Sequence, residues 1–401
     1  MKDKHLSPEY IVTHQGDEYE RFHGAVVTPI YENSLFVFKD FTSFTEAMRD
    51  ETENYIYWRG NNPTVEVAEK KLAALEGGDA CKLFSSGMAA ITSAILSCVQ
   101  AGDHVLCVSN IYGPAKKLLT YLEKFHIETT TIFSTETNEI ERSIKSNTRV
   151  IYLESPTTMT FKLVDLPAVS KMAKQKGIST IIDNTWATPL YQKPLKMGID
   201  IVVHSASKYL GGHSDLVGGV LVTNEARMKE LFVQEFQLLG GVMPPFEAWM
   251  LTRGLRTLPI RMKQHQESTR KISTFLENHH AVKQVNYPGL PTNPYFELGR
   301  SMLEGYSGLL SFELKENNYH AVKKVIDSLA IFQIGVSWGG FESLVLSPNY
   351  GNNEQQLKEQ NLDPGLIRLS IGLENTEELL EDLEKSLHHV VTTKNKREDI
   401  K

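Results

Sequence analysis

Five short apolar runs constrain this chain more than any other feature. They are His104–Val108, Arg149–Leu153, Thr180–Ile182, Asp200–Val203 and Gly219–Val222. Each is too short for a stable helix, and each is nearly continuous in Val, Ile and Leu rather than alternating. That pattern belongs to strands buried on both faces. Amphipathic segments lie between them, among them Leu166–Lys174, closed by Gly177. An earlier helix over Val65–Leu75 ends at Gly77-Gly78. Strands of this kind separated by helices predict an α/β fold with a mostly parallel sheet covered on both sides.

The character changes near residue 250. Met250–Leu258 leads into a long helical stretch, and Ser307–Leu314 and Leu366–Leu373 read as strands. Leu379, Leu380, Leu383, Leu387 and Val390 mark one face of a final helix. We therefore expect an α/β domain over 61–250 and a smaller α+β domain over 251–401. Residues 1–60 are polar, aromatic and rich in turn signals, and read as an arm lying on something else, such as a neighbouring subunit. Thr392–Lys401 is mostly polar and is expected to fray.

Composition narrows the function classes. The 401 residues carry 42 Lys plus Arg against 49 Asp plus Glu, a net charge of -7. A nucleic-acid or anionic-membrane binder needs a positive face, so neither partner is expected. No apolar run approaches the ~20 residues that span a bilayer. Met1–Pro8 has no apolar leader core, so a cytoplasmic location is expected. Cys81, Cys98 and Cys107 are odd in number and lack CxxC spacing, which argues for reduced thiols rather than disulfides or a Cys-zinc site. His279-His280 and His388-His389 are adjacent pairs. Helical neighbours point about 100° apart and cannot share an ion, so no metal is expected.

In an α/β sheet, functional groups gather just past the strand ends. Those positions hold Glu154, Asp183, Ser205, Ser207 and Lys208. Singly they are ordinary: a surface lysine, a turn carboxylate. Together they suit a phosphorylated aromatic cofactor bound through its aldehyde. The lysine would form a Schiff base, the acid would face a pyridinium nitrogen, and the hydroxyls would hold phosphate. Ser85-Ser86-Gly87-Met88-Ala89-Ala90 opens a helix after Cys81–Phe84, and small residues there free backbone N–H groups for a phosphate. The same Ser could be a plain N-cap.

Six motifs occur in order: Tyr57–Thr64 (YWRGNNPT), Ser85–Met88 (SSGM), Glu154-Ser155-Pro156, Asp183–Ala187 (DNTWA), Ser205–Asp215 (SASKYLGGHSD) and Arg368–Glu374 (RLSIGLE). On these the chain resembles, over nearly its whole length, the Cys/Met-metabolism family of pyridoxal-phosphate (PLP) enzymes, with an aspartate-aminotransferase-like fold. The resemblance implies that Lys208 forms the Schiff base and that Asp183 keeps the pyridine nitrogen protonated. It implies that Gly87, Met88, Ser205 and Ser207 bind the phosphate and that Tyr112 stacks on the ring. Arg368 is implied to clamp the substrate α-carboxylate, with Ser337 and Trp338 beside it. Tyr57 and Arg59 are implied to reach a neighbour's phosphate, which requires at least a homodimer and suggests the family's homotetramer.

The resemblance also leans toward a cystathionine β-lyase. Ser337–Leu344 carries Trp338 where many γ-acting relatives have a smaller aliphatic residue. Tyr112-Gly113-Pro114 looks β-lyase-like, and Glu154–Thr160 lacks the Asn-Pro usual in γ-acting members. The implied substrate is a small sulfur amino acid, with γ-elimination or γ-replacement as the alternative. Trp338 has a plainer reading as a core residue of the second domain. Gly335–Gly339 also matches the G-x-S-x-G elbow of hydrolases, but the residues from Gly340 onward are strand-like and stopped by Pro348, not helical.

Overall fold

The five apolar runs form strands, joined by two that their composition did not announce. In chain order these are β1 (Ala80–Phe84), β2 (His104–Val108), β3 (Glu128–Ile132), β4 (Thr148–Glu154), β5 (Ser179–Asp183), β6 (Ile201–Ser205) and β7 (Gly219–Thr223). The computed structural model describes residues 6–398. Met1–His5, from the segment without an apolar leader core, and 399–401 of the polar tail lie outside the described residues. The sheet order is β1-β7-β6-β5-β4-β2-β3. Only β7 runs against its neighbours. The continuous apolar runs have a simple cause: alternate residues feed two cores. Leu106, Ile151, Leu153, Ile182 and Val202 pack on one side, and Val105, Cys107, Val150, Tyr152, Ile181 and Val203 on the other.

The second sheet contains β8 (Val282–Asn286), β9 (Leu309–Leu314), β10 (Gln333–Ile334), β11 (Leu344–Leu346) and β12 (Leu366–Ser370), in the order β10-β11-β12-β9-β8. The final helix, Thr376–Glu398, buries Leu379, Leu383 and Leu387 completely. The side chain of Val390 lies outside the described residues. The helical backbone continues to Glu398, past the point where fraying was expected. The two sheets are not separate units. Leu153, Ile182 and Val202 share one core with Leu310, Phe312 and Leu369, and Trp186 Nε1 donates to Leu309 O at 3.0 Å across it. The change of character near 250 falls inside the helix Pro245–Leu255. That helix packs Ala248, Leu251 and Leu255 with Val65 and Leu72 of the helix Pro63–Glu76.

The first described helix lies on the helix Pro63–Glu76 of the same chain. Ile11 and Val12 are buried against the helix Pro63–Glu76. Each such side chain contributes ~1.5–3 kcal/mol. Asp17 is pinned there by Lys71 at 2.7 Å, a pair 1% and 0% exposed, and by Arg256 at 3.4 Å. A buried charge requires this pairing. Further on, Val26, Val27, Ile30, Leu35, Val37, Phe41 and Met48 stand exposed. No helix among the described residues is long and apolar enough to cross a membrane.

Candidate active site

Register brings the site together along one edge of the large sheet. Glu154 is paired with Asp183, Asp183 with Val203, Ser205 with Gly219, and Gly219 with Phe84. The groups that sequence placed at strand ends are therefore neighbours in space. At Gly219 the sheet meets the chain entering the next helix closely, and a Cβ there would fall 2.1 Å from Ser86 O.

Beside it begins the helix Gly87–Leu96. Ser86 caps it, its side chain accepting from Ala89 N at 3.1 Å. The first-turn amides of Gly87 and Met88 have no intrahelical acceptor. A Cβ on Gly87 would sit 3.2 Å from Ser205 Oγ. Bare amides, a missing side chain and a serine hydroxyl form a cradle that fits a phosphate. Ser207 Oγ accepts from Gly218 N at 3.0 Å, which fixes the turn leading to Lys208. The Ser86 cap is present, and it leaves the space beside Gly87 and Ser205 open.

Asp183 accepts from the backbone N of Thr185 at 3.0 Å and also from the Thr185 hydroxyl. Thr185 Oγ1 in turn accepts from Ser205 N at 2.8 Å. Thr185 was not singled out in the sequence. The signal was there, because Asp with a partner two residues on is an Asx turn. Burial raises the Asp183 carboxyl, opposed chiefly by its two bonds from Thr185.

Lys208 is pushed down to about 8, first by burial and then by the charge of Arg368. A substantial share of its amine is therefore neutral near physiological pH and able to act as nucleophile or base. Lys208 Nζ donates to Ser337 Oγ and lies 5.7 Å from the centre of the Trp338 ring. Arg368, within β12, donates from Nη2 to Ser337 O at 2.8 Å. Burial brings Arg368 down to about 10, so it remains a cation. Ser337 thus touches both functional residues. It does so from left-handed backbone, φ 82°. Gly339 has φ 81°, and a Cβ there would lie 2.8 Å from Tyr209 N. Only glycine lets this turn approach the Lys208 segment. The segment after Ser337 leads to β11 and not to a helix, so the hydrolase elbow is absent.

Trp338 packs in the core and also stands near Lys208. It is partly buried against two cores, 5.5 Å from the Tyr209 ring and 5.7 Å from Lys208 Nζ. Tyr112 is 45% exposed at the start of the helix Gly113–Leu122. Burial and the charges of Asp183 and Glu154 raise its phenol, which stays protonated. Tyr57 and Arg59 stand apart. The guanidinium lies 5.3 Å over the Tyr57 ring, and neither residue hydrogen-bonds to the Lys208 group among the described residues.

Comparison with known proteins agrees with this geometry. Residues 9–388 match the family described as Cys/Met metabolism PLP-dependent enzyme. An L-methionine gamma-lyase of Fusobacterium nucleatum is 39% identical, covering 92% of this chain and 95% of that protein. The cystathionine gamma-lyase of Bacillus subtilis is 38% identical, covering 96% and 100%. The cystathionine beta-lyase MetC of Bacillus subtilis is 38% identical, covering 92% and 93%. The crystal structure of metB from Corynebacterium glutamicum superposes with a TM-score of 0.89 at 33% identity, covering 96% and 98%. Sheet-edge carboxylate, lysine and cradle are the parts such a cofactor requires, and the chain belongs to the Cys/Met-metabolism family of enzymes that work with pyridoxal 5'-phosphate.

Proposed function

We propose that this protein is a carbon–sulfur lyase that cleaves cystathionine by β-elimination, giving homocysteine, pyruvate and ammonia. The observation that carries the reading is the bracket around Lys208. Its amine is held by Ser337 Oγ and flanked by the flat Trp338 ring, on the side where Arg368 stands. When bound, PLP supplies an electron sink for the pair left at Cα after proton removal. Lys208 would hold the cofactor by its aldehyde, and its amine, when free, would take the Cα proton. Asp183 provides the negative charge that favours a protonated pyridine nitrogen. Gly87, Met88, Ser205 and Ser207 hold the phosphate, and Tyr112 covers the ring. Arg368 fixes the substrate carboxylate, where a guanidinium fork sets orientation as well as affinity. Trp338 narrows the cleft beside Lys208 and favours the shorter arm of the substrate.

Tyr57 and Arg59 are turned toward solvent on a segment rich in exposed apolar residues. This supports a homodimer in which they complete a neighbour's phosphate site, and a homotetramer built from such pairs.

A second reading has its own support. The methionine and cystathionine gamma-lyases are as similar as the beta-lyases. γ-Elimination needs a second proton, from Cβ, so a base must reach two carbons. The keto acid released from cystathionine decides between the two. Pyruvate is expected as the major product, with the pyruvate share falling in Trp338→Leu. Mainly 2-oxobutyrate from the wild-type enzyme rejects β-elimination and leaves the family intact.

A further inference from the structure

Glu154 has no part in the roles above, although it ends β4 directly beside Asp183. Its Oε2 accepts the backbone N–H of Tyr112 at 2.7 Å. Tyr112 starts the helix Gly113–Leu122 and makes no side-chain cap bond of its own. The next residue but one is Pro114, which has no N–H. The Glu154 carboxyl is thus the acceptor that ties this helix start to the sheet edge.

We propose that Glu154 is a positioning residue: it holds Tyr112 by its amide and so sets where the Tyr112 ring lies over the cofactor. This rests on the placement of Tyr112 at the ring in the proposed function.

The carboxyl suits that task in its neutral form. Two adjacent buried carboxyls do not both ionise readily. Asp183 has two Thr185 bonds to favour its anion. Burial and then the Asp183 charge raise Glu154, against bonds from Thr158 and the Tyr112 amide, with no cation beside it. Cys107, Tyr152 and Tyr112 are the other titratable groups that feel it, and burial raises all three. Of the two, Glu154 has less around it to favour its anion. The carboxyl can accept from Tyr112 without adding a second negative charge under the cofactor.

The test is the affinity of the apoenzyme for PLP, followed by visible absorbance, with kcat/KM as a second reading. Glu154→Gln keeps an acceptor without charge and should bind PLP within about threefold of wild type. Glu154→Ala leaves the Tyr112 amide unpaired and should weaken PLP by ~10-fold. If Glu154→Ala does not fold, Glu154→Leu gives the same comparison, with bulk but no acceptor. Because Glu154 acts through Tyr112, Glu154→Ala with Tyr112→Ala should bind no worse than Tyr112→Ala alone. Gln as poor as Ala, an additive double variant, or full affinity in Glu154→Ala with loss in Tyr112→Ala each overturns this proposal alone. Full affinity in Tyr112→Ala overturns it together with the role given to Tyr112.

Discussion

The wall supplied by the seven-stranded sheet and the wall supplied by the five-stranded sheet hold their groups by different means. On the first, Glu154, Asp183 and Ser205 sit at paired strand ends, and their spacing follows from backbone register. On the second, Arg368 projects from within β12 and meets Ser337 on a left-handed turn between β10 and β11. The first wall is therefore fixed by topology and can move only if the sheet is rebuilt. The second depends on one tight turn, fixed by the local backbone at Ser337 and Gly339 rather than by strand register. On the proposed function, cofactor chemistry belongs to the wall set by register and substrate choice to the wall set by that turn.

Three measurements can break or sharpen that contrast. The largest effect belongs to the first wall. Lys208→Ala should lower turnover by ~10²–10⁴-fold, the usual worth of a positioned acid–base group. In the wild-type holoenzyme, borohydride should fix a pyridoxyl group on Lys208. A label on another lysine, or a loss of turnover under about tenfold in Lys208→Ala, would break the contrast. On the second wall, Arg368→Ala removes a charged hydrogen bond of ~1.5–3 kcal/mol and should lower kcat/KM by roughly ten- to 150-fold. PLP affinity should be unchanged within error. Loss of PLP binding would move Arg368 across to the first wall.

The smallest effect reports contact between the walls. Lys208 is lowered from 10.5 to about 8, by burial and then by Arg368. Below 8 both folded and unfolded chains carry that proton, and the folded state bears the full cost. Between 8 and 10.5 only the unfolded chain keeps it, so stability rises with pH there. Thermal melts of the apoprotein should show this rise in wild type and not in Lys208→Met. In Arg368→Ala it should begin at higher pH. Parallel curves for wild type and Lys208→Met would mean that the amine is not perturbed.

The contrast also governs what the sequence could tell. All five apolar runs are strands within two residues of their expected ends, because burial on both faces leaves a mark in composition. Lys208, Asp183 and Ser205 were found because topology puts chemistry at strand ends. β3 was not anticipated: Glu128–Ile132 is an edge strand with three threonines, and pairing on one side only requires no apolar run. β1 was noticed only as the segment before a helix. The left-handed backbone at Ser337 left no glycine or asparagine to signal it, so its double contact with Lys208 and Arg368 appears only in three dimensions. Glu154 was visible as a strand-end acid, but its acceptor role depends on where the chain 42 residues earlier returns.

The single core beneath both sheets bears on how the enzyme can breathe. Trp186, Leu310 and Phe312 are nearly or fully buried where the two sheets meet. A hinge that parted the sheets would wet such side chains at ~1.5–3 kcal/mol each, a large part of a typical total stability of ~5–15 kcal/mol. Large swings of one domain against the other are therefore closed to this molecule. Admission of substrate and escape of product fall to the surface turns and side chains around the mouth. Their rates should follow local loop fluctuation rather than whole-domain motion.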